Sequence, residues 1–392
     1  MTAQNSSKIT KKNTHPIGVH EFVGKLLNDS THCKRVDSIA NAALGLIEAQ
    51  SCIVHKMGAG LALARDLSKK HATKQIDRLL SNPKFDVHRV SEVWAKHAIG
   101  DATQIMAAMD WTDFHADEHT TISINLLTHH GRAIPLLWKT VESSSLKSNR
   151  CRHERELLLR LKNCIAPTTK VTILADRGFS SQSFFRFFDE ELKFQYLIRT
   201  RSNIYVTDSH EEKKRAREWL HPAGRTVILK DIKVTADKYP VSVFVCCQKK
   251  DMKEPWYLLS NIQDILPAHL VPLYAKRWSI KPFFRDLKDI RFGVGLSSTH
   301  LGTPERRDKM LFIFAMATAL TTCLGEAGEN IGFARKLKVN TVKTRTHSLF
   351  TQGLYYYESF RNFTELEKSC LLESFQEVLG RSSFWTTWLE GL

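Results

Sequence analysis

The 392-residue sequence predicts an α/β protein in which a mixed-sheet core carries a mostly β insertion and is flanked by helical N- and C-terminal regions. Three observations predict it. Residues 101–193 read as strand, hairpin, helix, strand, the order of a sheet covered by a crossover helix. Residues 194–261 hold short β-runs separated by charged loops. On either side, apolar residues recur at three- and four-residue spacing, the period of a helix buried along one stripe. At this length several domains are expected, with boundaries at 1–18 (a tail), 19–100, 101–193, 194–261, 262–330 and 331–392.

The first stretch, MTAQNSSKITKKNTH, is polar and basic with no apolar run, so a disordered tail without a secretory signal is expected. From Val19 to Pro83 the period is helical, clearest in RVDSIANAALGLIEAQ. LALARDL and KQIDRLL follow, with breaks expected near Gly58, Gly60 and Ala72. Lys69, Lys70, His71, Lys74 and Arg78 crowd these last helices, which suits a helical DNA-binding module and equally an ordinary solvated basic face. QIMAAMDWTDF and TTISINLLTHHGRAIPLLWKTV then read as apolar strands, with His130-Gly131-Arg132 as the turn of a hairpin. A helix is expected over Arg152–Asn163. The run Val171–Ala175 is almost wholly apolar, as a central strand buried on both faces should be. QYLIRT, NIYVTD, RTVILKDIKVTA, YPVSVFVCC and PWYLLSN supply the β-runs of the insertion, with a short helix expected at EEKKRAREWL. Helix returns at Pro267 and includes Tyr274–Lys288. MLFIFAMATALTTCLG, from Met310 to Gly325, is too short and too rich in threonine for a membrane span and reads as a buried helix packed behind it.

Charge narrows the partner. Lys plus Arg number 57 against 41 Asp plus Glu, giving a net charge of +16 and a pI near 9.5, so a polyanion is favoured and nucleic acid leads. Eight scattered cysteines with no C-x-x-C pair argue against a zinc site and fit a reduced, cytoplasmic protein.

Two aspartates stand out chemically. Asp110 opens DWTD after an apolar run and Asp176 closes VTILAD, so both fall at strand mouths, where a carboxylate is costly unless it is paired or binds something. Carboxylates at adjacent strand ends can hold Mg²⁺, and two such ions about 3.5–4 Å apart serve phosphoryl transfer. Turn or capping roles fit either acid equally well. Downstream, YAKRWSIKPFFRDLK places Tyr274, Arg277, Lys281 and Lys288 at offsets that a continuous helix would bring toward one surface.

The order DWTD, ADRGF, β insertion, then Y-x-x-R-x-x-x-[E]-x-x-x-x-x-x-K resembles the insertion-sequence transposases of family 4, a branch of the DDE superfamily with a ribonuclease H-like fold. IDRLLSN (Ile76–Asn82), HGR (His130–Arg132) and NTVKTRT (Asn340–Thr346) extend the resemblance over most of the chain. It implies that Asp110 and Asp176 are the first two metal-binding acids, with two Mg²⁺ ions per site and Mn²⁺ as a substitute. Tyr274, Arg277 and Lys288 would contact phosphates. Trp256 would stack a flipped base, although a core aromatic is an equal reading of that residue. Residues 19–100 would bind DNA and 331–392 would pair subunits. Partners would be double-stranded DNA with terminal inverted repeats, target DNA and a second copy of the chain, in the bacterial cytoplasm on the nucleoid, with no membrane.

The sequence departs from this pattern at one position. Lys281 stands where the family has its third acid, a change of two charge units that removes a ligand and would repel Mg²⁺. Asp286 lies five residues on, about 140° around a helix, and does not replace it. The expectation is therefore a cut-and-paste transposase with impaired cleavage. The competing expectation is a non-catalytic protein that binds transposon ends and inhibits active relatives.

Overall fold

A computed structural model describes residues 18–381 apart from 129, 130, 251, 264, 265, 292 and 340. The tail expected at 1–18, save Gly18, lies outside the described residues, as do His130, Asn340 and residues 382–392.

Five helices come first: α1 (Val19–Leu27), α2 (Cys33–Ala49), α3 (Val54–Arg65), α4 (Lys69–Ser81) and α5 (Val87–Ile99). Ser68 and Asp86 cap α4 and α5, accepting from the His71 and Arg89 backbone N–H groups. The breaks expected near Gly58, Gly60 and Ala72 are absent, because α3 and α4 run through those positions. The glycines serve close packing instead: a Cβ on Gly58 would lie 2.7 Å from the Cα of Thr73 on α4, and one on Gly60 would meet α2.

The sheet follows: β1 (Gln104–Phe114), β2 (His119–Leu127), β3 (Ala133–Glu142), then helix α6 (Leu146–Asn163), β4 (Lys170–Ala175), the short helix α7 (Gln182–Arg186) and β5 (Gln195–Arg199). β1, β2 and β3 form an antiparallel meander, while β4 pairs parallel with both β1 and β5. This 3-2-1-4-5 order is the ribonuclease H-like arrangement. β6 (Tyr205–Thr207), β7 (Lys213–Arg215), β8 (Val227–Val234), β9 (Tyr239–Cys247) and β10 (Trp256–Ser260) extend the same sheet. Its full order is β3-β2-β1-β4-β5-β10-β9-β8-β6-β7, ten strands with β7 outermost. The helix expected at EEKKRAREWL is instead β7 followed by a 3₁₀ turn over Ala216–Trp219. Pairing with β6 overrides helix propensity there, and the Lys213 and Arg215 side chains both lie over the Tyr205 ring.

After the sheet come α8 (Leu270–Ala275), a 3₁₀ stretch over Lys276–Ser279, and α9 (Ile280–Lys288). The single helix expected here is thus interrupted. Pro282 has no N–H and its ring would clash with the carbonyl of Trp278, so the chain tightens just before it. Behind α9 runs α10 (Pro304–Asn330), with Phe283 and Phe314 ring centres 6.0 Å apart. α10 is long and apolar enough to cross a membrane, but 89% of its most apolar window is buried within the protein, as expected for a core helix. α11 (Leu349–Ser359) and α12 (Glu365–Gly380) complete the chain. α10 also anchors the IDRLLSN segment. Arg306 pairs with Asp77 at 2.7 Å and with the Ser81 hydroxyl, and Lys309 donates to the backbone carbonyls of Leu80 and Asn82. One buried cluster therefore runs from Val19 to Val378.

Candidate active site at the ends of β1 and β4

The register of the parallel pair sets the site. Met109 is opposite Ala175, so the next residue along each strand is an aspartate, Asp110 on β1 and Asp176 just past β4. The apolar residues before them bury the strands, and the carboxylates emerge where the sheet stops. The Trp111 backbone N–H holds Asp110 Oδ1 at 2.9 Å.

Arg277, from the 3₁₀ stretch, bridges the two acids. Its Nη1 donates to Asp110 Oδ2 at 3.1 Å and its Nη2 lies 3.7 Å from Asp176 Oδ2, with the side chain only 6% exposed. Burial pushes the Asp110 carboxyl above its ordinary value, and the charge of Asp176 adds to this against the pull of Arg277. Tyr274 is buried with the Arg277 guanidinium 5.6 Å over its ring, and burial raises its phenol to about 12. The half-buried Trp256 ring, at the start of β10, meets Tyr274 edge-on at 5.1 Å.

Lys288 meets the end of β1. Its Nζ donates to the Asp113 carbonyl at 2.5 Å and lies 4.7 Å from the centre of the Phe114 ring, which also carries Arg307 at 4.0 Å. Lys281 takes a different direction. It is exposed, its Nζ is 3.6 Å from the centre of the Trp278 ring, and among the described residues no carboxylate pairs with it. The 3₁₀ stretch accounts for this. Of the four steps from Arg277 to Lys281, two are 3₁₀ and two α-helical, which leaves Lys281 about 80° around from Arg277, against about 40° on a continuous α-helix. Lys281 is thereby offset from Arg277, and its ammonium rests on Trp278. Asp286 is buried and paired with Arg132 of the HGR motif at 2.7 Å, so it is not free to act as a third acid.

The acids open onto a cleft of about 400 Å³ lined by Asp110, Asp113, Asp176, Arg150, Arg177 and Arg201 among others. Arg150 and Arg201 were not legible as site residues. Arg150 lies 5.3 Å over the Trp111 ring and pairs with buried Glu154, which also accepts from Trp111 Nε1 at 2.8 Å. The i, i+4 spacing of Arg150 and Glu154 on α6 was the available signal, and it marks a helix pair rather than a site.

The model of one protein family, the transposase DDE domain, matches residues 102–320, more than half of the chain. The chain belongs to this family. The match runs from the residues before β1 into α10 and takes in both aspartates and the whole segment from Tyr274 to Lys288. No curated protein matches the chain. DDE transposase domains generally act with divalent metal ions on DNA. The donor set of this transposase domain does not fit a pair of such ions. Among the described residues no three His, Cys, Asp or Glu side chains gather as a metal cluster. The two aspartates share Arg277, and position 281, where the resemblance led a third acid to be expected, is a lysine.

Proposed function

We propose that this transposase binds the terminal inverted repeats of an insertion sequence, as a homodimer built for cut-and-paste transposition, but cleaves the strands poorly or not at all. The family-4 branch and its Y-R-E-K signature are part of this reading. The observation that carries it is the pairing of Asp110 and Asp176 with one arginine, Arg277, while position 281 holds a lysine and no third carboxylate. The cleft is suited to hold a phosphodiester through the guanidinium forks of Arg150, Arg177 and Arg201, with Arg277 buried behind the two acids. A basic cleft of about 330 Å³ between α2 and α4, lined by Lys34, Arg35, His71 and Arg78, supports a second stretch of DNA contact at residues 19–100.

The test is a comparison of the natural chain with Lys281→Glu on duplex DNA carrying the element's own ends, in Mg²⁺ and in Mn²⁺. The natural chain is expected to bind without nicking. Lys281→Glu is expected to nick at least about tenfold faster, the return of one ligand being worth more than about 1.4 kcal/mol in the barrier. Equal nicking by both proteins would overturn the proposal.

A further inference from the structure

We infer that residues 382–392 of this chain dock in a groove between its first and last helices, so that α1 and α12 close on one aromatic plug from the same molecule. The groove has a volume of about 290 Å³ and lies where α1, α5 and α12 meet. Phe22 and Leu26 of α1 and Leu379 of α12 line it, and each is only partly buried although it packs against the core. His97 of α5 adds a second ring, edge-on to Phe22 at 5.9 Å. Apolar and aromatic surface left in water at such a concave place favours an apolar occupant.

Two stretches of chain adjoin the groove, because Gly18 and Gly380 both line it. Residues 1–17 match it poorly, with Lys8, Lys11 and Lys12 and no Phe, Trp or Tyr. Residues 382–392, SSFWTTWLEGL, carry Phe384, Trp385, Trp388, Leu389 and Leu392 and a single charged side chain, Glu390. The apolar positions recur at three- and four-residue spacing, as one stripe of a helix does. The point of departure is held in place. Arg381 Nη1 pairs with Glu326 Oε1 at 3.0 Å, and the Arg381 backbone N–H donates to the Val378 carbonyl at 3.3 Å. Phe384 follows three residues later, at most about 10 Å of extended chain. A ligand tethered so closely acts at an effective concentration on the order of millimolar, which favours it over any separate partner. Space is also available at the entrance, since a Cβ on Gly380 would meet nothing within 4 Å.

The experiment is photocrosslinking of the full chain carrying Trp388→p-benzoylphenylalanine, with isotope-labelled and unlabelled copies mixed and the products mapped by mass spectrometry. The crosslink should join position 388 to residues 18–26 or 376–380 of the same copy. Leu26→Glu, which puts a charge into the groove, should lower its yield at least about tenfold. Leu26 is only partly buried, and circular dichroism would check that this variant folds. Gly380→Trp is a second block that leaves α1 untouched: its ring would occupy the open space at the entrance and should lower the yield likewise. Three results would overturn the inference. They are crosslinks that are absent or fall elsewhere in the chain, crosslinks that join labelled to unlabelled copies and so make a second copy the occupant, and a yield that neither block changes. Neither DNA binding nor cleavage enters the readout, so the result is independent of the function proposed above.

Discussion

Arg277 carries two obligations that conflict. It is buried, so its charge must be paired, and the carboxylates that pair with it are the ones a ligand would need. Replacing it with methionine should leave Asp110 and Asp176 repelling each other across the β1/β4 strand ends. We expect Arg277→Met to cost about 1–3 kcal/mol in urea denaturation, less than for a fully buried pair because Asp110 is a quarter exposed and Asp176 more so. Adding Asp110→Asn should return part of that loss, and a double variant no more stable than the single one would count against the pairing as its cause. At this scale much of the site was legible. Asp110 and Asp176 are readable because an acid that ends an apolar run announces a strand mouth, and Arg277 because its spacing from Tyr274 and Lys288 fixes a register. The direction of Lys281 was not readable. It depends on how Pro282 tightens the preceding turn, and residue spacing assumes one uniform helix.

Elements here are held together by side chains that are missing as much as by those present. α10 and α11 cross so closely that a Cβ on Gly353 would lie 1.7 Å from the Thr321 carbonyl oxygen, and one on Gly325 would meet the backbone of Leu349. Gly353→Ala should therefore force the helices apart and cost about 1–3 kcal/mol or more, although alanine is the better helix former, and a thermal melt would register the loss. A variant as stable as the natural chain would show that the crossing relaxes freely. The same chemistry explains the misplaced breaks at Gly58 and Gly60. A turn and a close helix crossing both exploit the absent Cβ, and the sequence does not say which. The strand order of the core was legible because its apolar runs are long. The three-residue β7 was not, since Lys213, Lys214 and Arg215 have no apolar alternation and become a strand only because β6 lies beside them.

For the molecule as a whole, one buried acid ties the sheet to its main helix and should set how stability varies with pH. Asp308 on α10 is 4% exposed, and its Oδ1 accepts from the Thr140 N–H of β3 at 2.9 Å while its backbone carbonyl accepts from Trp138 Nε1. Burial pushes its carboxyl from 3.8 up to about 7, against the pull of the Thr140 hydrogen bond. A carboxyl raised on folding stabilises fully when protonated in both states and loses that contribution as pH rises through the folded value. Stability should thus decline from about pH 4 to above about pH 7 by up to a few kcal/mol. Asp308→Asn should flatten that decline in melts taken across the range, and an unchanged slope would assign it elsewhere. The sheet that Asp308 helps to secure ends at β7, and that edge bears on how the protein behaves at high concentration. An outermost strand offers unpaired N–H and C=O groups to any neighbour, yet here every residue of it is Lys or Arg. A second edge could dock only by bringing like charges together out of water. With threonine at Lys213, Lys214 and Arg215, light scattering should detect concentration-dependent aggregates that the natural chain does not form, because those three cations are what keep a ten-strand sheet from recruiting an eleventh strand from another molecule.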